Sequence, residues 1–140
     1  MAYPYEMAKA LPGMLADDGF TDKRTLAAAV AIGCGFPVHF LNGRAVMPGT
    51  GVAYGVAILD ALHLSGYPPM SAVAVLRRGR IWVPVTAAGA ITVGGVAKYA
   101  AAGTWDSAAT NTFPNASFQS AIEPGPMGNV VLIELHDPTL

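Results

Sequence analysis

The stretch SAVAVLRRGRIWVPVT, residues 71–86, decides the fold class. It is dense in β-branched residues and lacks the i, i+3, i+4 apolar spacing of an amphipathic helix. Its spacing predicts two strands, Ser71–Arg77 and Arg80–Val85, joined by a turn at Arg78 and Gly79. Side chains alternate along a strand, so Ile81, Val83 and Val85 share one face and Trp82 and Pro84 the other. Pro84 has no N–H to give a ladder, which places it at a sheet edge or a bulge.

Outward from this segment the same pattern recurs: short apolar runs cut by turn residues. Downstream, a Gly- and Ala-rich turn region (87–95) surrounds Ile91–Val93. A strand over Val96–Ala101 meets Gly103, with a short return over Thr104–Ser107. Residues 108–115, rich in Thr and Asn and closed by Pro114, are expected to be loop. Strands are expected over Phe118–Ile122 and Asn129–Leu135, separated by EPGPMGN, whose prolines and glycines forbid continuous pairing.

Upstream, Val52–Leu59 is a strand with both faces apolar. Phe36–Leu41 and Arg44–Met47 form a hairpin across Asn42-Gly43, a dipeptide suited to the positive φ of tight hairpin turns. Thr25–Ile32 is compatible with a short helix or a first strand, because alanine favours helix and the run is too short for periodicity to decide. The total, about seven to nine short strands with hardly any helical periodicity, predicts an all-β, jelly-roll-like sandwich or barrel. An extended N-terminal arm (1–24) precedes the β domain (25–140). The arm mixes Tyr3, Tyr5, Met7, Leu11 and Met14 with two early prolines, a composition suited to lying along another surface.

Composition bounds the function. The chain has 140 residues, 53% hydrophobic and only 12% charged, with a net charge of −1 and 16 glycines. One domain is expected at this length. So little charge on so much apolar character calls for a partner surface, for many small residues, or for both. Near-neutral charge, with Arg77, Arg78 and Arg80 as the one basic cluster, argues against nucleic acid, which requires a clustered basic surface. A single cysteine, Cys34, excludes an internal disulfide and suits folding in a reducing cytoplasm. The first residues lack the basic start and apolar core of a secretory signal. The most apolar run, Leu26–Leu41, is broken by Gly33, Gly35, Pro37 and His39, so no membrane span is expected.

No catalytic, metal or cofactor motif is present. His39, His63 and His136 are far apart and lack metal-clamp spacing. Cys34 sits in an apolar run, as a buried small hydrophobe does. Gly49–Gly51 opens onto a strand rather than a helix, without the register of a dinucleotide loop. Asp60, Asp106, Glu123, Glu134 and Asp137 share no local motif. The expected function is therefore carried by surfaces, with Tyr3, Tyr5, Met7, Leu11, Met14, Arg77, Arg78 and Arg80 as candidate interface residues.

The segment containing Val73, Val75, Leu76, Arg77, Gly79, Ile81, Trp82 and Val83, continuing through Gly94, Val96 and Tyr99, resembles structural cement proteins of tailed double-stranded DNA bacteriophage heads. The similarity extends through Pro114, Asn115, Ala116, Phe118 and Ser120 to the strand after Gly128. Upstream it takes in Pro12, Gly13, Met14 and Asp17, then Gly35–Val38 and Gly55–Leu59. It implies a protein made in the host cytoplasm and carried on the outer surface of the virion head. There it would stabilise contacts between major capsid protein subunits as a homodimer at two-fold positions, with no enzymatic activity or cofactor. The competing reading is a small soluble β-barrel binding an apolar or sugar ligand, lined by Trp82, Tyr54, Phe40 and Tyr99.

Overall fold

The computed structural model describes residues 10–16, 21–46, 52–60, 62, 64–86, 89–100, 102–126 and 128–136. Among the described residues there are eight strands: β1 (Asp22–Ala27), β2 (Pro37–Leu41), β3 (Arg44–Val46), β4 (Val52–Ala57), β5 (Ala72–Pro84), β6 (Val96–Tyr99), β7 (Asn111–Phe118) and β8 (Val130–Leu135). They form a curled antiparallel sheet in the order β3-β2-β4-β5-β8-β7-β6, with β1 also on β5. No helix occurs among the described residues, and Thr25–Ala27, where helix and strand were both open, is strand.

The central strand corrects the turn expected at Arg78 and Gly79. Ala72–Pro84 is one strand of 13 residues. Its first half pairs with β1 and β4 and its second half with β8. Gly79, at φ 134°, bends the strand where it passes from one set of partners to the other. The ladder to β1 sets Lys23 opposite Leu76 and Asp22 opposite Arg78, so Arg77 is an extra, bulged residue. One extra residue reverses the alternation. Leu76 and then Ile81 and Val83 therefore face the same core, while Val73 and Val75 belong to a second one. An Arg-Arg-Gly-Arg run fits a local turn equally well; the long-range ladders on both sides select the bend.

Both ends of the sheet curl back. Trp105 bridges Val85 on one side and Tyr99 on the other, so the β5-β8-β7-β6 half closes around Trp105, Phe113, Phe118 and Ile133. In the other half Ala28, just beyond β1, bridges Ala45 in β3, enclosing Ile32, Val38, Val73 and Tyr67. Between the two cores lies β4, with Val56 in one and Ala57 in the other, matching the strand with two apolar faces. Gly55 is required there because a Cβ would run into the Leu76 carbonyl.

The β2–β3 hairpin forms as expected, with Asn42 at φ 53° and Gly43 at φ 77°. The expected loop over 108–115 is corrected: β7 begins at Asn111 and ends at Phe118. Opposite β6, Lys98 faces Thr112 while Val96 faces Ser117, so residues 113–116 form a bulge in β7. Pro114 is exposed in that bulge, where no donor is needed, and Asn115 takes φ 60°. Buried Phe113, Ala116 and Phe118 anchor the strand despite its polar composition.

Residues 10–16 lie against this body. Gly13 N–H donates to the Trp82 carbonyl (2.7 Å), Trp82 N–H to Met14 O (2.9 Å) and Ala16 N–H to Arg80 O (3.1 Å). Gly13 O also accepts from Leu59 N–H (2.8 Å), just past β4. The segment thus straps the two halves together. Pro84, lacking an N–H, falls where this short ladder stops, at the last position of β5.

Candidate interaction surface

The titratable groups inside the fold are spent on structure. His39 and Tyr99 are buried and share a hydrogen bond of 2.9 Å between Nε2 and the phenol oxygen, joining β2 to β6. Tyr99 packs edge-on to Trp105 and Phe113. The Trp105 indole N–H donates to the Gly35 carbonyl (2.9 Å), a second polar link between the halves. Burial pushes the Tyr99 phenol and the Cys34 thiol up from their ordinary pKa values. Burial also raises Tyr67, to about 12, while its hydroxyl donates to Ile58 O at 2.6 Å. Among the described residues no group of three His, Cys, Asp or Glu side chains could hold a metal ion.

The four aromatics of the ligand-binding alternative do not converge. Tyr99 is in the core, exposed Phe40 stacks on Tyr54 (centroids 5.3 Å apart), and Trp82 is half-buried. None of them lines the groove of about 490 Å³ bordered by Ile32, Gly33, Phe36, Tyr67 and Pro68.

The candidate arginines separate. Arg77, the bulged residue, is buried: its guanidinium lies 4.0 Å from the Tyr54 ring centroid and its Nε donates to Tyr54 O (3.4 Å). Arg78 is half-buried opposite Asp22. Arg80 is exposed and faces Glu134 on β8, Nε to Oε1 3.9 Å. Leu11 and Met14 are half-buried in the strap along β5, and Tyr3, Tyr5 and Met7 lie outside the described residues.

A surface not singled out in the sequence is the ribbon made by residues 28–33 and 64–71. Ala28 N–H donates to Ser71 O, Met70 N–H to Ala28 O, and Ile32 and Tyr67 exchange both backbone bonds. On or beside it, Val30 (40%), Leu62 (88%), Leu64 (47%) and Met70 (75%) are exposed. Its signal was compositional: neither Thr25–Gly43 nor residues 61–76 contain an Asp, Glu, Lys or Arg.

Comparison with curated proteins gives no match. A chain of the solved structure titled "The capsid of Myoviridae Phage XM1" has the same fold, with a TM-score of 0.75 at 18% identity, over 99% of this chain and 97% of that one. The family model described as structural cement protein (E217 gp24/Pam3 gp6) matches residues 1–136. With nearly its whole length matched, the chain belongs to the phage structural cement protein family.

Proposed function

We propose that this protein is a non-enzymatic capsid cement that binds the outer surface of a tailed-phage head. There it contacts the major capsid protein as a homodimer and stabilises the joints between subunits. The observation that carries this reading is the family match over residues 1–136. The structure supports it in physical terms. Its polar interior groups are engaged in linking two cores, and what it offers outward is surface. A body spanning neighbouring capsomers adds buried interface at each joint, and repetition over a lattice multiplies modest contacts.

The proposed capsid contacts are the N-terminal segment carrying Tyr3, Tyr5 and Met7, continuing to Leu11 and Met14, with exposed Arg80 and half-buried Arg78 beside the strap. Arg77, buried against Tyr54, is not among these contacts. Heads lacking the protein should assemble and then lose DNA at lower temperature. Adding purified protein back should raise their melting temperature and level off when every site is filled, since a ligand stabilises only the state it binds. No shift at saturating, folded protein would refute the reading. Removing residues 2–9 keeps the Gly13 strap, so that chain should fold and bind heads more weakly.

A further inference from the structure

One carboxylate stands alone in a long acid-free stretch: between Asp22 and Asp106 the sequence has a single acidic residue, Asp60. It is half-buried and borders a second groove, of about 370 Å³, together with Thr25, Leu59, Tyr67, Ala72 and Ala74. The strand register explains the groove. Thr25 on β1 lies opposite Ala74 on β5, and Ala72 shares the face of Ala74, so short side chains leave a trough over the two strands. Past β4, Ile58 N–H donates to Ala74 O (2.8 Å), which brings Leu59 and Asp60 to its border. Asp60 Oδ1 accepts the Leu62 N–H at 3.0 Å, a bond that uses one of about four acceptor positions on a carboxylate. Arg24, next to Thr25 on β1, is bonded to Asp22 at 3.1 Å. Mostly apolar walls with a carboxylate at the border match a side chain that has an alkyl stem and a cationic head, lysine or arginine. The groove also adjoins the strap, because Leu59 N–H donates to Gly13 O (2.8 Å). It is therefore continuous with the surface of Leu11 and Met14 assigned above to the capsid.

We propose that a basic side chain of the major capsid protein seats in this groove, its stem on Ala72 and Ala74 and its charge on Asp60. The inference rests on the cement reading and adds to it a contact that selects the partner by charge. The bond to Leu62 gives Asp60 a second role, in the local turn, and Asp60→Asn separates the two: the amide oxygen still accepts the Leu62 N–H while the charge is gone. Full-length protein is titrated onto heads depleted of it, at low and at high salt. Wild type should bind more weakly as salt rises. Asp60→Asn should melt as wild type does, yet bind heads about tenfold to a hundredfold more weakly at low salt and with a flatter salt dependence. Ala72→Leu, at an exposed position, fills the groove with the charge left in place and should also weaken binding. Glu123→Gln removes the same charge from an exposed site paired with Val130 and should bind as wild type. Unaltered binding by Asp60→Asn or by Ala72→Leu overturns the proposal and leaves the cement reading standing. So does a loss of binding by Asp60→Asn that comes with a lowered melting midpoint, which assigns Asp60 to the turn alone. Wild-type protein that fails to bind heads at any salt concentration overturns both readings.

Discussion

Replacing Gly13 by alanine tests the strap at its tightest point. Gly13 has φ +84°, and a Cβ there would lie 2.7 Å from Leu59 N and 3.0 Å from both Cys34 Cβ and Gly35 N. Two of these neighbours are backbone atoms, so relief requires the strap to lift. The left-handed conformation costs an alanine about 1–2 kcal/mol. Lifting the strap weakens the hydrogen bonds from Gly13 N–H to Trp82 O and from Leu59 N–H to Gly13 O. At about 1 kcal/mol each, these bring the total to about 3–4 kcal/mol. An unfolding entropy of about 2.1 cal/mol/K per residue, over 140 residues, turns this into a fall of about 10–14 °C in the melting midpoint. Gly43→Ala is the control. Gly43 also has positive φ, +77°, but no atom lies within 4 Å of its Cβ position. It should lose only the conformational part, about 3–7 °C. Calorimetry of both variants at one protein concentration reads the difference. Equal shifts would show that close packing at Gly13 contributes nothing.

Trp105→Phe should cost about 2–4 kcal/mol, because it empties core volume and leaves the Gly35 carbonyl without its donor; urea titration gives the value. The pH dependence follows from Tyr67, whose phenol is held at about 12 by burial against an ordinary value of 10. Its contribution is fully present below pH 10 and disappears as pH rises toward 12. Tyr67→Phe should flatten that part of the loss. Cys34 is buried with its thiol pKa raised, so native protein at mildly alkaline pH should resist a thiol reagent that labels the unfolded chain at once; rapid native labelling would contradict the burial.

The features legible in the sequence were those whose cause is local. Asn42-Gly43 can adopt the paired positive φ of a tight hairpin turn wherever it stands, and the doubly apolar Val52–Ala57 could only be a strand covered on both sides. Gly79 was ambiguous because the same residue serves a turn or a bend. The choice was made by Asp22 and Leu135, which pair with its neighbourhood from opposite ends of the chain. β7 was hidden by Thr, Asn and Pro, whose loop propensity is overridden by three buried anchors. Arg77 reads in sequence as an interface candidate at a strand end; a one-residue bulge, invisible without the partner strand, swings it over Tyr54. The exposed ribbon was missed because apolar residues on a surface and in a core have the same composition.

Taken with the proposed role, the long strand explains why two small cores are combined in one chain. Neither half is separable, since both ladders are built on β5. Sliding one half against the other would break the strap at Gly13, the Trp105 to Gly35 bond and the His39 to Tyr99 bond together. These links are buried or close-packed, where lost hydrogen bonds are not replaced by water and cost most. Bound to the capsid as proposed, a body joined in this way would act as one stiff tie between the subunits it touches.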